Sequence, residues 1–126
     1  MQAKILVIDD EQDLRDALRI SLEAAGYAVI DATNGAEGLE KALRNKPSLI
    51  LLDIMMPHMN GHQVLRELRK DDWGKNVPVL LLTNADDASN ITHGVSFRSD
   101  DYIIKSQTSL KEIVTRVKQY LAGYHD

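Results

Sequence analysis

Four apolar runs in this chain each end on a polar residue able to do chemistry. "KILVI" (residues 4–8) runs into Asp9, Asp10 and Glu11, and "LILL" (49–52) into Asp53. "VLLL" (79–82) ends at Thr83, and "YII" (102–104) at Lys105. A carboxylate at the lip of a buried strand loses solvation, which costs free energy unless something pairs with it. Acidic side chains crowded together repel, and a hard divalent cation relieves that repulsion. Mg²⁺ takes oxygen ligands and keeps several waters, so one or two carboxylates suffice to hold it while leaving room for a phosphoryl oxygen. Lys105 would supply fixed positive charge for an arriving phosphate, and the Thr83 hydroxyl a hydrogen-bond donor. A carboxylate can itself attack phosphorus, so the set is suited to receive a phosphoryl group on Asp53.

Such a set needs a scaffold that brings four strand ends to one edge. Leu14, Ala17, Leu18, Ser21, Leu22 and Ala25 recur at three- and four-residue steps, one face of a first helix, with Asp10 at the N-cap position and Gly26 just past the end. "YAVIDA" (27–32) reads as a second strand that delivers no comparable group. A second helix follows over 34–47, with Asn34 as cap, Glu37 three residues on and Pro47 as stop. Residues 62–70 carry Val64, Leu65 and Leu68 on one face. Residues 86–99 are at best weakly helical, with Gly94 inside. The last helix is the clearest: Ser109 and Glu112 have capping-box spacing, and Leu110, Ile113, Val114, Val117 and Leu121 form a core stripe.

Strands thus alternate with helices, and the third and fourth strands are apolar throughout, as strands covered on both faces are. The expectation is an α/β fold with a doubly wound five-stranded parallel sheet. Ligands of such sheets bind beyond the carboxyl ends of the strands. Taken singly, the acids can be helix caps, Thr83 a polar strand end and Lys105 a solvated lysine. Their arrival together at one edge is what those readings do not give.

The bulk properties narrow the class. With 126 residues, 44% hydrophobic and 27% charged, the chain fits one globular domain. Its net charge of −4, with the basic residues dispersed, argues against a nucleic-acid surface in this segment. The absence of cysteine excludes disulfides and thiol chemistry and fits a cytoplasmic setting. No apolar run approaches the length of a membrane span, and no signal peptide is visible.

The chain resembles a two-component response-regulator receiver domain of the single-domain chemotaxis type. The likeness covers nearly the whole chain, through "ILVIDDEQDLRDALRISLEAAGY", "LILLDIMMPHMNGHQVL", "VPVLLLT" and "DDYIIK", and implies one receiver domain over residues 1–126. It implies a flavodoxin-like three-layer sandwich with strand order 2-1-3-4-5. It implies that Asp53 accepts phosphate from a sensor histidine kinase or phosphotransfer protein, with Thr83 and Lys105 holding the phosphoryl oxygens. Asp10 would bind Mg²⁺ directly and Asp9 mainly through water, beside Asp53 and the Met55 carbonyl. Thr83 and Tyr102 would form the switch. A downstream protein would dock on the face of the fourth helix, fifth strand and fifth helix, with the domain a monomer or weak dimer. Such a domain is no conventional enzyme, but it catalyses its own phosphorylation and a slow autodephosphorylation. Met55 and Ala85 would flank the water path, and an apolar Met55 implies a long-lived phosphoryl group.

Three positions depart from that pattern. Ser106 follows Lys105 where the family carries a cis proline, so the 105–106 bond is expected either trans with a reshaped loop or cis and strained, at about 2.5–4 kcal/mol. Asn84 follows Thr83 where a small residue is usual. "FRSDDY" replaces the usual Gly-Ala before Asp-Asp-Tyr, and positive φ at Arg98 would cost about 1 kcal/mol relative to glycine. These departures bear on output more than on the acids and keep one alternative, a phosphorylation-independent protein-interaction module. An FMN-binding flavodoxin is disfavoured because "DDEQD" repels phosphate, and a haloacid-dehalogenase-type phosphatase because its D-x-D nucleophile is missing. Tyr120, Tyr124, Phe97 and Trp73 are candidate exposed contacts without an evident partner.

Overall fold

A computed structural model of the chain describes residues 2–84 and 101–123. Five strands form one parallel sheet in the order 2-1-3-4-5: β1 (Lys4–Ile8), β2 (Ala28–Ala32), β3 (Leu49–Asp53), β4 (Val79–Thr83) and β5 (Asp101–Ile104). Four described helices cover it: α1 (Gln12–Ala24), α2 (Gly35–Asn45), α3 (Gly61–Arg69) and α4 (Leu110–Leu121). The weak helix expected over 86–99 lies outside the described residues, as do Ala85, Phe97, Arg98 and Tyr124.

The pleat divides the core into two layers. Leu6, Ile8, Ile50, Leu52, Val79 and Leu81 pack against Ala42 of α2 and Val64, Leu65 and Leu68 of α3. The intervening residues Ile5, Val7, Leu49, Leu51, Leu80, Leu82 and Ile103 pack against Leu18 and Leu22 of α1 and Ile113 and Val117 of α4. Every residue of β3 and β4 is buried, which is why those strands are apolar without alternation. The sheet is thus a flavodoxin-like doubly wound sandwich, with the apolar stripe of α4 in the core.

Local signals account for most boundaries. Asn34 caps α2 by accepting the Glu37 N–H at 2.8 Å, while the Glu37 carboxylate takes the Thr33 N–H and hydroxyl. Gly26, at φ +99°, ends α1 in the left-handed region that glycine tolerates. A reciprocal Asn60–Gln63 capping box starts α3, one residue earlier than the apolar pattern places it.

Several expectations need correction. Glu11, not Asp10, occupies the cap position of α1, and it makes no capping side-chain bond. Only half the box at α4 forms: Ser109 accepts from the Glu112 N–H at 3.1 Å, but the Glu112 carboxylate pairs with Arg116 at 3.0 Å. β2 starts at Ala28 rather than Tyr27, and β5 at Asp101 rather than Tyr102. Trp73 and Tyr120 are partly buried against the two core layers, not exposed contacts. No described peptide bond is cis, so Lys105–Ser106 is trans, and a 3₁₀ turn over Lys105–Gln107 reshapes the loop there.

Candidate functional site

The register sets the strand ends level. Ile8 lies opposite Leu52, Asp53 opposite Leu82, and Thr83 opposite Ile104. The residues that follow these ends therefore emerge side by side. Asp9 is 0% exposed, Asp53 1% and Thr83 0%, while Asp10 stands at the surface. One carboxylate oxygen from each of Asp9, Asp10 and Asp53 can lie within 4.8 Å of the other two.

Lys105 enters this group from the 3₁₀ turn after β5. Its Nζ is 2.8 Å from Asp9 Oδ2, 3.1 Å from Glu11 Oε1 and 3.3 Å from Asp53 Oδ1. Asp9 Oδ1 accepts the Glu11 N–H at 2.8 Å, and Asp53 Oδ1 accepts the Met55 N–H at 3.3 Å. Asp9 Oδ2, though buried and beside the ammonium, takes no directed hydrogen bond. Thr83 donates its hydroxyl to the Asn84 carbonyl at 3.2 Å. Tyr102 is partly buried, on the core layer that holds Leu81, its register partner.

The electrostatics follow from this crowding. Burial pushes the Asp53 carboxyl up to about 7, the Asp9 charge adds to the rise, and Lys105 pulls against it. Burial likewise raises Asp9, against the lowering effect of Lys105 and the Glu11 N–H. Lys105 is itself drawn down by burial, but Asp9, Asp53 and Glu11 together outweigh that and raise it. One ammonium thus serves three carboxyl groups, two of them buried, with Asp10 close to the buried pair. That surplus of negative charge, together with the unfilled lone pairs on Asp9 Oδ2, fits a hard divalent cation such as Mg²⁺.

The loop after β3 is shaped by a close approach. A Cβ on Gly61 would come within 2.5 Å of the Asp53 carbonyl oxygen and 2.8 Å of Ile54 Cα, so only glycine lets α3 begin there. The Gly61 N–H also binds the Ile54 carbonyl at 2.8 Å. Met55, between these anchors, leaves its side chain 47% exposed at the mouth of the group.

The structure therefore brings together Asp9, Asp10, Asp53 and Lys105, with Met55 joined through its N–H, while Thr83 stands on the next strand with its hydroxyl turned to its own neighbour. Glu11, grouped with Asp9 and Asp10 in the sequence, also holds Lys105, a contact that its position did not signal. The buried Arg15 was missed in the sequence: it donates through Nη1 to the Asp9 carbonyl at 2.7 Å, and its place three and seven residues before Leu18 and Leu22, on the inner face of α1, was the available signal.

Comparison with known proteins identifies the arrangement. Residues 5–118 match the family model of the response regulator receiver domain. The chain is 40% identical over 121 residues to the alkaline phosphatase synthesis transcriptional regulatory protein PhoP of Bacillus subtilis, covering 96% of the chain and 49% of PhoP. It is 42% identical over 120 residues to the transcriptional regulatory protein ResD of the same organism, covering 95% and 48%. The chain thus spans about half the length of these curated relatives. Among solved structures, a putative response regulator from Chloroflexus aurantiacus superposes with a TM-score of 0.89 at 30% identity, covering 97% of this chain and 99% of that one. The chemotaxis protein CheY4 of Vibrio cholerae gives 0.87 at 26% identity, covering 94% and 98%. Among the described residues no helix is long and apolar enough to cross a membrane. The chain belongs to the response regulator receiver domain family, the receiver module of two-component systems.

Proposed function

We propose that this domain accepts a phosphoryl group on Asp53 from the phosphohistidine of a sensor histidine kinase or phosphotransfer protein, with Mg²⁺ present, and so changes a protein-binding surface. One observation carries the reading: a buried Asp53 converges with Asp9, Asp10 and Lys105 beyond the strand ends. The Asp53 carboxylate would form the new P–O bond as the P–N bond breaks, and the leaving imidazole would keep the electron pair and take up a proton. Asp9, Asp10, Asp53 and the Met55 carbonyl would hold the cation, which supplies charge neutralisation for the incoming phosphoryl oxygens.

Lys105 is already aimed at Asp53 and would pair with a phosphoryl oxygen. The Thr83 hydroxyl, now on the Asn84 carbonyl, would rotate to another. Tyr102, on the adjacent strand, would follow it inward and so alter the face that includes β5 and α4, where a downstream protein would dock. Water would later hydrolyse the acyl phosphate slowly. Residues 1–126 would act as one receiver unit in the cytoplasm, as a monomer or weak dimer, without nucleic-acid or membrane contacts in this segment.

Autophosphorylated kinases from a panel should pass their phosphoryl group to the wild-type domain and not to Asp53→Asn. Absence of transfer from every donor would favour the phosphorylation-independent interaction module instead.

A further inference from the structure

Asp9, Asp53, Thr83 and Arg15 are the buried polar or charged side chains among the described residues. The first three belong to the phosphoryl site, and the fourth lies in line with Leu18 and Leu22 on the inner face of α1, where an apolar residue would be ordinary. A buried guanidinium loses solvation, and here its Nε finds no hydrogen bond, with Asp31 Oδ2 3.9 Å away. Stability alone gives little reason to keep it.

Its one short contact is with the site. Arg15 Nη1 donates to the Asp9 carbonyl oxygen at 2.7 Å. The β1–β2 register ends at Ile8 and Ala32, and the Asp9 N–H binds the Ala32 carbonyl at 3.1 Å, so the Asp9 carbonyl is the first backbone acceptor past the ladder. That oxygen lies in the planar peptide joining Asp9 to Asp10. Fixing it sets ψ of Asp9 and the plane from which Asp10 leaves, and so restricts how Asp10 is placed relative to Asp9. The Glu11 N–H to Asp9 Oδ1, at 2.8 Å, completes the brace.

We propose that Arg15 is a positioning residue for the cation site: by holding the Asp9–Asp10 peptide it makes the two acids converge with Asp53. The inference rests on the Mg²⁺-holding reading above and adds the residue on which that site's affinity depends. Groups that orient ligands in this way typically alter metal affinity by 10–100-fold when removed.

The test is a calorimetric Mg²⁺ titration of the full chain at neutral pH, with thermal unfolding measured in parallel. Arg15→Met should weaken Mg²⁺ binding by roughly tenfold or more while the protein stays folded. Arg15→Gln, a milder change, carries the same expectation if Arg15→Met does not fold. Arg19→Ala separates positioning from structure. Arg19 loses a hydrogen bond to the Val29 carbonyl at 3.1 Å and ion pairs to Asp31 at 3.2 Å and Glu23 at 3.5 Å, yet it does not touch Asp9. It should lower the unfolding temperature and leave Mg²⁺ affinity within about twofold of wild type, as a residue outside the ligand-holding set should. An unchanged affinity in the Arg15 variants, or an equal loss in Arg19→Ala, overturns the inference while the acceptor reading stands. A wild-type chain that takes up no Mg²⁺ overturns both.

Discussion

Lys105 Nζ lies 3.3 Å from Asp53 Oδ1, at a point where Asp9 and Glu11 also claim the ammonium. The charge that would steady a phosphoryl group is therefore already engaged, and it sits where burial has raised Asp53 to about 7. Phosphoryl arrival would exchange partners for Lys105 rather than recruit it from solvent.

The raised Asp53 has a stability consequence of definite sign. A carboxyl whose folded pKa of about 7 exceeds its ordinary 3.8 binds its proton more tightly when folded. Its contribution is fully present below about pH 4 and is lost as pH rises through about 7. Asp53→Asn should match wild type in denaturant midpoint near pH 4 and exceed it at pH 8. A constant difference across that range would mean that Asp53 is not raised, and Mg²⁺ should narrow the gap at pH 8.

Removing the ammonium should act in the opposite sense. Lys105→Met leaves Asp9 and Asp53 buried without their counter-charge, at a cost of about 3 kcal/mol at pH 8. Near pH 5 Asp53, raised to about 7, takes up a proton and the cost should shrink. Urea unfolding at both pH values checks this, and an equal loss at both would contradict it.

Gly61→Ala tests the loop that carries Asp53. The new methyl would meet backbone at 2.5 and 2.8 Å, and backbone cannot rotate away as a side chain can. A loss of about 1–3 kcal/mol is expected, together with slower phosphorylation because the Asp53–Ile54 segment must shift. Full stability with full acceptor activity would show that α3 can slide to make room.

Phosphoryl lifetime tests the role of Met55. An exposed apolar side chain at the mouth of the site cannot orient an attacking water. The purified acyl phosphate should outlast the seconds scale, and Met55→Asn should shorten it. A half-life of seconds in the wild-type domain would remove Met55 from consideration.

Sheet and site were legible where one side chain sufficed to signal a role. The continuous apolar runs of β3 and β4 marked buried parallel strands, and the polar residue ending each run marked the site edge, so Asp9, Asp53 and Lys105 met as expected. The sequence was less informative where a role depends on which of several possible partners a side chain meets in the fold. Arg15 has the spacing of the inner face of α1, but its bond to the Asp9 carbonyl is visible only in the fold. Ser109 and Glu112 have the spacing of a capping box, but Arg116 one turn on competes for the Glu112 carboxylate. Asp10 was expected both at the cap position of α1 and among the acids; Glu11 takes the cap position, and Asp10 lies with Asp9 and Asp53. Asn60 and Gln63 have capping-box spacing just ahead of the apolar residues, and that box sets the start of α3.

The most direct measurement is the intact mass of the domain after incubation with a small phosphodonor, with and without Mg²⁺, beside Asp53→Asn. A gain of one phosphoryl group that requires both Mg²⁺ and Asp53 is expected. No gain in folded protein, or a gain that persists in Asp53→Asn, would contradict Asp53 as the acceptor.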